Sequence, residues 1–82
     1  MTLQPGERER SAAIRDARAL GAVLSTVRLE CGLTQEAAAT KSTVPRPYIA
    51  TLETGKQTMA LTRLFHLLDA YDAELRIEWT HR

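Results

Sequence analysis

The chain has a single cysteine, Cys31, among its 82 residues, so no disulfide can close within it. It has no CxxC or HxxxH spacing that would complete a tetrahedral metal site. A chain of this length buries only about 60 to 65 % of its unfolded surface on folding, and a second subunit is the staple that remains. No apolar run approaches the roughly 18 residues of a membrane span, and no charged-then-apolar leader opens the sequence. With one unpaired cysteine, these absences lead us to expect a cytoplasmic, reducing setting. Charge of one sign is also missing: 11 basic residues face 10 acidic ones, a net charge of +1, so bulk charge gives no case for nucleic acid. Finally, Cys31, His66, His81 and the scattered carboxylates lack the spacing of a nucleophile with its base, and neither an enzyme nor a cofactor is expected. Cys31 reads as a small core residue and His66 as a surface or dimer-edge residue.

What is present is ordinary globular composition, 44 % hydrophobic and 26 % charged, which supports one small folded domain. Residues 1–15 hold Pro5, Gly6 and the mixed run Glu7-Arg8-Glu9-Arg10, and are expected to form an arm. From Asp16, a candidate N-cap, Leu20, Val23, Leu24, Val27 and Cys31 mark one face of a helix that Gly32 ends. Thr34 caps a second, short helix through Ala37, Ala38 and Ala39 to about Lys41. After a turn at Ser42-Thr43-Val44-Pro45, a third helix carries Ile49 and Leu52 inward and stops at Gly55. Leu61, Leu64, Phe65, Leu68 and Tyr71 define a fourth, ended at Asp72. The last segment alternates strictly, Leu75, Ile77 and Trp79 against Glu74, Arg76, Glu78 and Thr80, and reads as a strand. Nothing else alternates convincingly, so its expected partner is the same strand of a second subunit. The expectation is thus an all-α domain, residues 16–72, with a dimerisation strand in 73–82. Charge is uneven along it: Thr34 to Arg63 carries Lys41, Arg46, Lys56 and Arg63 against Glu36 and Glu53.

The order of a long helix, Gly32-Leu33-Thr34-Gln35, an Ala-rich helix, a tight turn, Pro47-Tyr48-Ile49 and Leu52-Glu53-Thr54-Gly55-Lys56 resembles the XRE/Cro/C1 helix-turn-helix family over roughly Leu20 to Tyr71. Leu20-Gly21 and Arg28, four residues before Gly32, belong to the same resemblance. The continuation from Thr58 through Leu75 into a strand looks like the HipB-type antitoxin branch. The resemblance implies a lambda-repressor-like fold and a homodimeric, sequence-specific repressor on an inverted-repeat operator, associated with the nucleoid when bound. It further implies an antitoxin autoregulating its operon and facing a HipA-like kinase toxin. The alternative is a protein-interaction module that mainly binds such a partner.

By position, the resemblance puts base contacts on Arg46, Pro47 and Thr51, with Tyr48 and Ala50 nearby; an arginine there can donate two hydrogen bonds to guanine. Gln35 matches the phosphate-gripping glutamine, and Lys56 with Thr58 falls where the family touches the backbone across the groove. Arg28 and Glu53 fall where the family pairs its first and third helices. The expected dimer joins through the fourth helices and Leu75, Ile77 and Trp79. Four departures bear on the site. Thr43 stands in place of a turn glycine, Ala38 replaces a leucine and shrinks the core, Pro45 replaces a capping Ser or Thr, and Arg46 between two prolines is biased away from helical geometry.

Overall fold

The computed structural model describes residues 8–81. The elements run β1 (Arg8–Ile14), α1 (Ala17–Glu30), α2 (Gln35–Ser42), α3 (Arg46–Glu53), α4 (Met59–Ala70) and β2 (Leu75–His81). Most of the described chain is helical, and one antiparallel sheet of β1 and β2 joins its two ends.

The helix starts follow the local chemistry. Asp16 accepts a hydrogen bond from Ala19 N, Thr34 from Ala37 N and Thr58 from Leu61 N, each satisfying an amide that the first helical turn leaves open. α3 has no such cap. Pro45 offers no side-chain acceptor, as expected, and its carbonyl instead takes both Tyr48 N and Ile49 N, at 3.0 and 3.2 Å. Arg46 is nevertheless the first residue of α3, so the bias of its two prolines does not keep it out of the helix. The turn before it closes with Thr43 in the left-handed region, φ 61°, while Val44 N donates to Ser42 Oγ. A β-branched residue there carries strain of order 1 kcal/mol or more.

Two glycines let the helices meet backbone to backbone. A Cβ on Gly21 would lie 2.4 Å from the Leu52 carbonyl oxygen, and one on Gly55 2.8 Å from Arg18 Cα. At Gly21, α1 therefore meets the last turn of α3 and the backbone just after it directly.

The sheet departs from the sequence expectation. β2 pairs within the chain, with β1, in a register that sets Ile14 opposite Leu75, Ala12 opposite Ile77 and Arg10 opposite Trp79. Residues 8–14 of the expected arm are thus a strand; residues 1–7 lie outside the described part. Opposed residues share a face, so Leu75, Ile77 and Trp79 stand with Arg10, Ala12 and Ile14 on the side packed on α1. β2 thus finds a partner strand inside the chain, where the sequence pattern pointed to one in a second subunit. At the end of α1, Glu30 accepts from Trp79 Nε1 at 2.9 Å and pairs with Arg10 at 3.1 Å, binding both strands to the helix.

Burial is concentrated near the start of α1. Ile14, Ala17 and Phe65 are the buried apolar side chains among the described residues. Between α1, α2 and α3, by contrast, Leu24, Val27, Leu33, Val44, Ile49 and Leu52 are half-buried around an open cleft of about 320 Å³, with Ala38 on its wall. Ala38 does not shrink this part of the core so much as leave it unfilled. Cys31, expected in the core, is exposed at the cleft's edge.

Candidate functional site

The residues singled out by sequence gather around α3, whose orientation is set from its C-terminal end. Glu53, its last residue, accepts from Arg28 Nε at 2.8 Å and Arg28 Nη2 at 2.9 Å, a two-pronged pair with side chains 9 % and 15 % exposed. Arg28 Nη1 also donates to the Leu33 carbonyl at 2.8 Å, so one guanidinium joins α1, the loop before α2, and α3. The hydrogen bond from Arg28 holds the Glu53 carboxyl below its usual range against the opposing effect of burial, and Glu53 in turn raises Arg28. Gln35, the first residue of α2, donates to the same carboxylate at 3.2 Å. The amide expected to grip a phosphate is therefore engaged in this cluster, which secures α2 to α3.

With Ile49, Leu52 and Glu53 turned inward, the rest of α3 faces out. Arg46, Pro47, Tyr48 and Thr51 are exposed, and Ala50 is half-buried at the edge of that face. The Thr51 hydroxyl donates to the Pro47 carbonyl at 2.9 Å, which leaves its methyl as the outward group. Thr54, on the same face and exposed, was not marked by the sequence reading; its hydroxyl donates to Thr51 O at 2.6 Å. Lys56 is exposed in the loop after α3, and Thr58 caps α4, presenting the amide end of that helix beside it. Arg46 and Lys56 thus stand at the two ends of one exposed helix. Such an arrangement offers donors to an anionic, grooved partner: a helix of major-groove width with a cation at each end.

Leu75, Ile77 and Trp79 are not brought into this region; they belong to the sheet. The sequence reading also missed Glu30. Its signal was available, because a carboxylate in the last turn of a helix is disfavoured by the helix dipole and calls for a partner elsewhere.

Among the described residues, no group of three His, Cys, Asp or Glu side chains is placed to hold a metal ion. No described helix is long and apolar enough to cross a membrane. The sequence matches the pattern of the family described as "Helix-turn-helix domain" over residues 19–78. Neither a curated protein nor a solved structure matches it.

Proposed function

Because the chain belongs to the helix-turn-helix domain family, we propose that it is a sequence-specific DNA-binding repressor of the XRE/Cro/C1 type, a HipB-like antitoxin that autoregulates its operon. The observation that carries this reading is the outward face of α3. Arg46, Pro47, Tyr48 and Thr51 are exposed together on a helix whose inner side is pinned by Glu53 to Arg28. Arg46 donates to base edges, while Lys56 and the amide end of α4 at Thr58 hold phosphates. Gln35 keeps one amide hydrogen for the backbone while the other bonds Glu53. No catalytic role or cofactor belongs to this reading.

The repressor acts as a homodimer. On α4, Ala60, Leu64, Leu67 and Tyr71 recur at i, i+4, i+7 and i+11, a stripe distinct from the inward face of Leu61, Phe65 and Leu68. Leu67 is 49 % and Tyr71 70 % exposed. Two such stripes packed antiparallel set Ala60 against Tyr71 and Leu64 against Leu67. The apolar side of the sheet packs on α1, so the strand of Leu75, Ile77 and Trp79 joins this contact through the outer edge of β2. On an inverted repeat, the two α3 helices then lie about 34 Å apart, one DNA turn.

Fluorescence anisotropy against the DNA upstream of the gene and a scrambled duplex, at low and near-physiological salt, tests the reading. Tight upstream binding that survives salt is expected. Arg46→Ala should cost about 1 to 3 kcal/mol on the upstream site and little on the scrambled one, whereas Lys56→Ala should weaken both and reduce the salt slope by about one. Equal binding to both duplexes, erased by salt, refutes sequence-specific repression. It would favour the second reading, in which exposed Met59, Leu64, Leu67 and Tyr71 serve a partner protein such as a kinase toxin.

A further inference from the structure

We propose that the cleft between α1, α2 and α3 is a binding site for a small neutral aromatic molecule, and that its occupancy changes DNA affinity. The second half of this proposal rests on the DNA-binding reading; the first does not.

Size, charge and wall chemistry define the ligand. The cleft measures about 320 Å³. A closed apolar cavity of roughly 150 Å³ takes benzene, so the space here suits a bicyclic ring or a substituted single ring. Its walls are Leu24, Val27, Leu33, Val44, Ile49 and Leu52. The two charged side chains that border it, Arg28 and Glu53, are committed to each other, and Arg28 also to the Leu33 carbonyl. An ionised ligand would lose its hydration there without gaining a free counter-charge, which selects a neutral molecule. Tyr48, 60 % exposed, is the aromatic side chain among the lining residues, and aromatic pairs gain beyond their buried area, which favours an aromatic ligand over an aliphatic one.

The cleft's position links occupancy to the outward face. Tyr48, Ile49 and Leu52 are residues of α3, while Leu24 and Val27 belong to α1. A ligand held between them stiffens or shifts α3 relative to α1, and Tyr48 contributes both to the cleft and to the exposed face. Binding free energy gained in one arrangement of α3 must then appear as a change in DNA affinity, and the effect is reciprocal.

Indole serves as the probe and benzoate as its charged control, both with the full chain. Calorimetry should show saturable indole binding, a melting temperature that rises with indole concentration, and benzoate binding at least tenfold weaker. Ala38→Leu, which fills the cleft, should retain the helical circular dichroism and lose indole binding. Nuclear Overhauser contacts in the unmodified chain, from indole to the methyls of Leu24, Val27 and Leu52, locate the ligand whether or not that variant folds. No saturable binding, contacts to Leu64 and Leu67 instead, or equal binding of benzoate overturns the site. With upstream DNA, indole should change Kd by roughly fivefold. An unchanged Kd overturns the effector role. Indole held in the cleft of a chain that binds no DNA upholds the site and overturns the repressor reading.

Discussion

The base of the molecule and its helix-turn-helix head are held together differently. At the base, Ile14, Ala17 and Phe65 are withdrawn from water where the sheet and α4 meet the start of α1. In the head, the apolar side chains of α1, α2 and α3 stay half-exposed around an open cleft. What fixes α3 there is directional: the two-pronged bond from Arg28 to Glu53, the amide of Gln35, and the backbone contact at Gly21. Apolar burial resists separation but tolerates sliding, whereas a bidentate pair and a glycine crossing set an angle. The head therefore has its geometry specified by a few groups, whereas the base holds the fully buried apolar side chains of the described residues.

The largest effect expected from this contrast is at the base. Phe65→Ala removes a buried aromatic side chain and should cost about 3 to 4 kcal/mol, read as a fall in the urea midpoint. Next comes the crossing: the added carbon of Gly21→Ala has a carbonyl oxygen 2.4 Å away, so α1 and α3 must separate, at about 2 to 3 kcal/mol. That variant should also lose specific DNA binding under conditions where it remains folded, because the tilt of α3 changes. Should Gly21→Ala prove neutral in both assays, the head is not specified by backbone contact.

Glu53→Gln keeps the shape of the side chain and removes its charge, leaving Arg28 without its anion; a loss of about 2 kcal/mol is expected at neutral pH, moderated by partial solvent access. The pH dependence has a defined sign. Folding lowers the carboxyl's pKa, chiefly through the bond from Arg28, so its contribution is complete above the unfolded value of about 4.3 and is lost as pH falls through the lower folded value. The stability gap between the two proteins should accordingly be full at pH 7 and close as the solution is acidified below the unfolded carboxylate value. A gap that persists in acid assigns the effect to packing rather than to the ion pair.

The contrast also explains what could be read in advance. The helices of the head were legible because each begins at a capping residue or proline and repeats apolar residues at helical spacing, as at Thr34 and at Ile49 and Leu52. The α1 to α3 ion pair followed from the positions of Arg28 and Glu53 in the family resemblance, and the structure contains it. β1 was hidden. Its inward face reads Arg10, Ala12, Ile14, in which only Ile14 is bulky and apolar, and Arg10 reaches its partner Glu30 on an element distant in sequence. Without a visible β1, the alternating pattern of β2 implies a partner outside the chain. The exposed face of α3 was legible from the inward stripe, but the engagement of Gln35 by Glu53 was not, since it depends on how closely α2 approaches α3.

The smallest predicted effect discriminates most sharply between the two regions. Ile49 is half-buried on the wall of the cleft, so it has already forfeited part of the contact that a closed core would supply. Truncation to alanine enlarges a space that is open to solvent instead of creating a sealed void, and the cavity contribution that raises such costs to about 2 to 5 kcal/mol is largely absent. Ile49→Ala should therefore cost about 1 to 1.5 kcal/mol by urea denaturation, at most about half the effect of Phe65→Ala. An equal loss at both positions would mean that α2 and α3 close over the cleft in solution, and that the head, like the base, is held by apolar burial. It would also leave no room for a ligand, so one pair of denaturation curves weighs the comparison and the proposed site together.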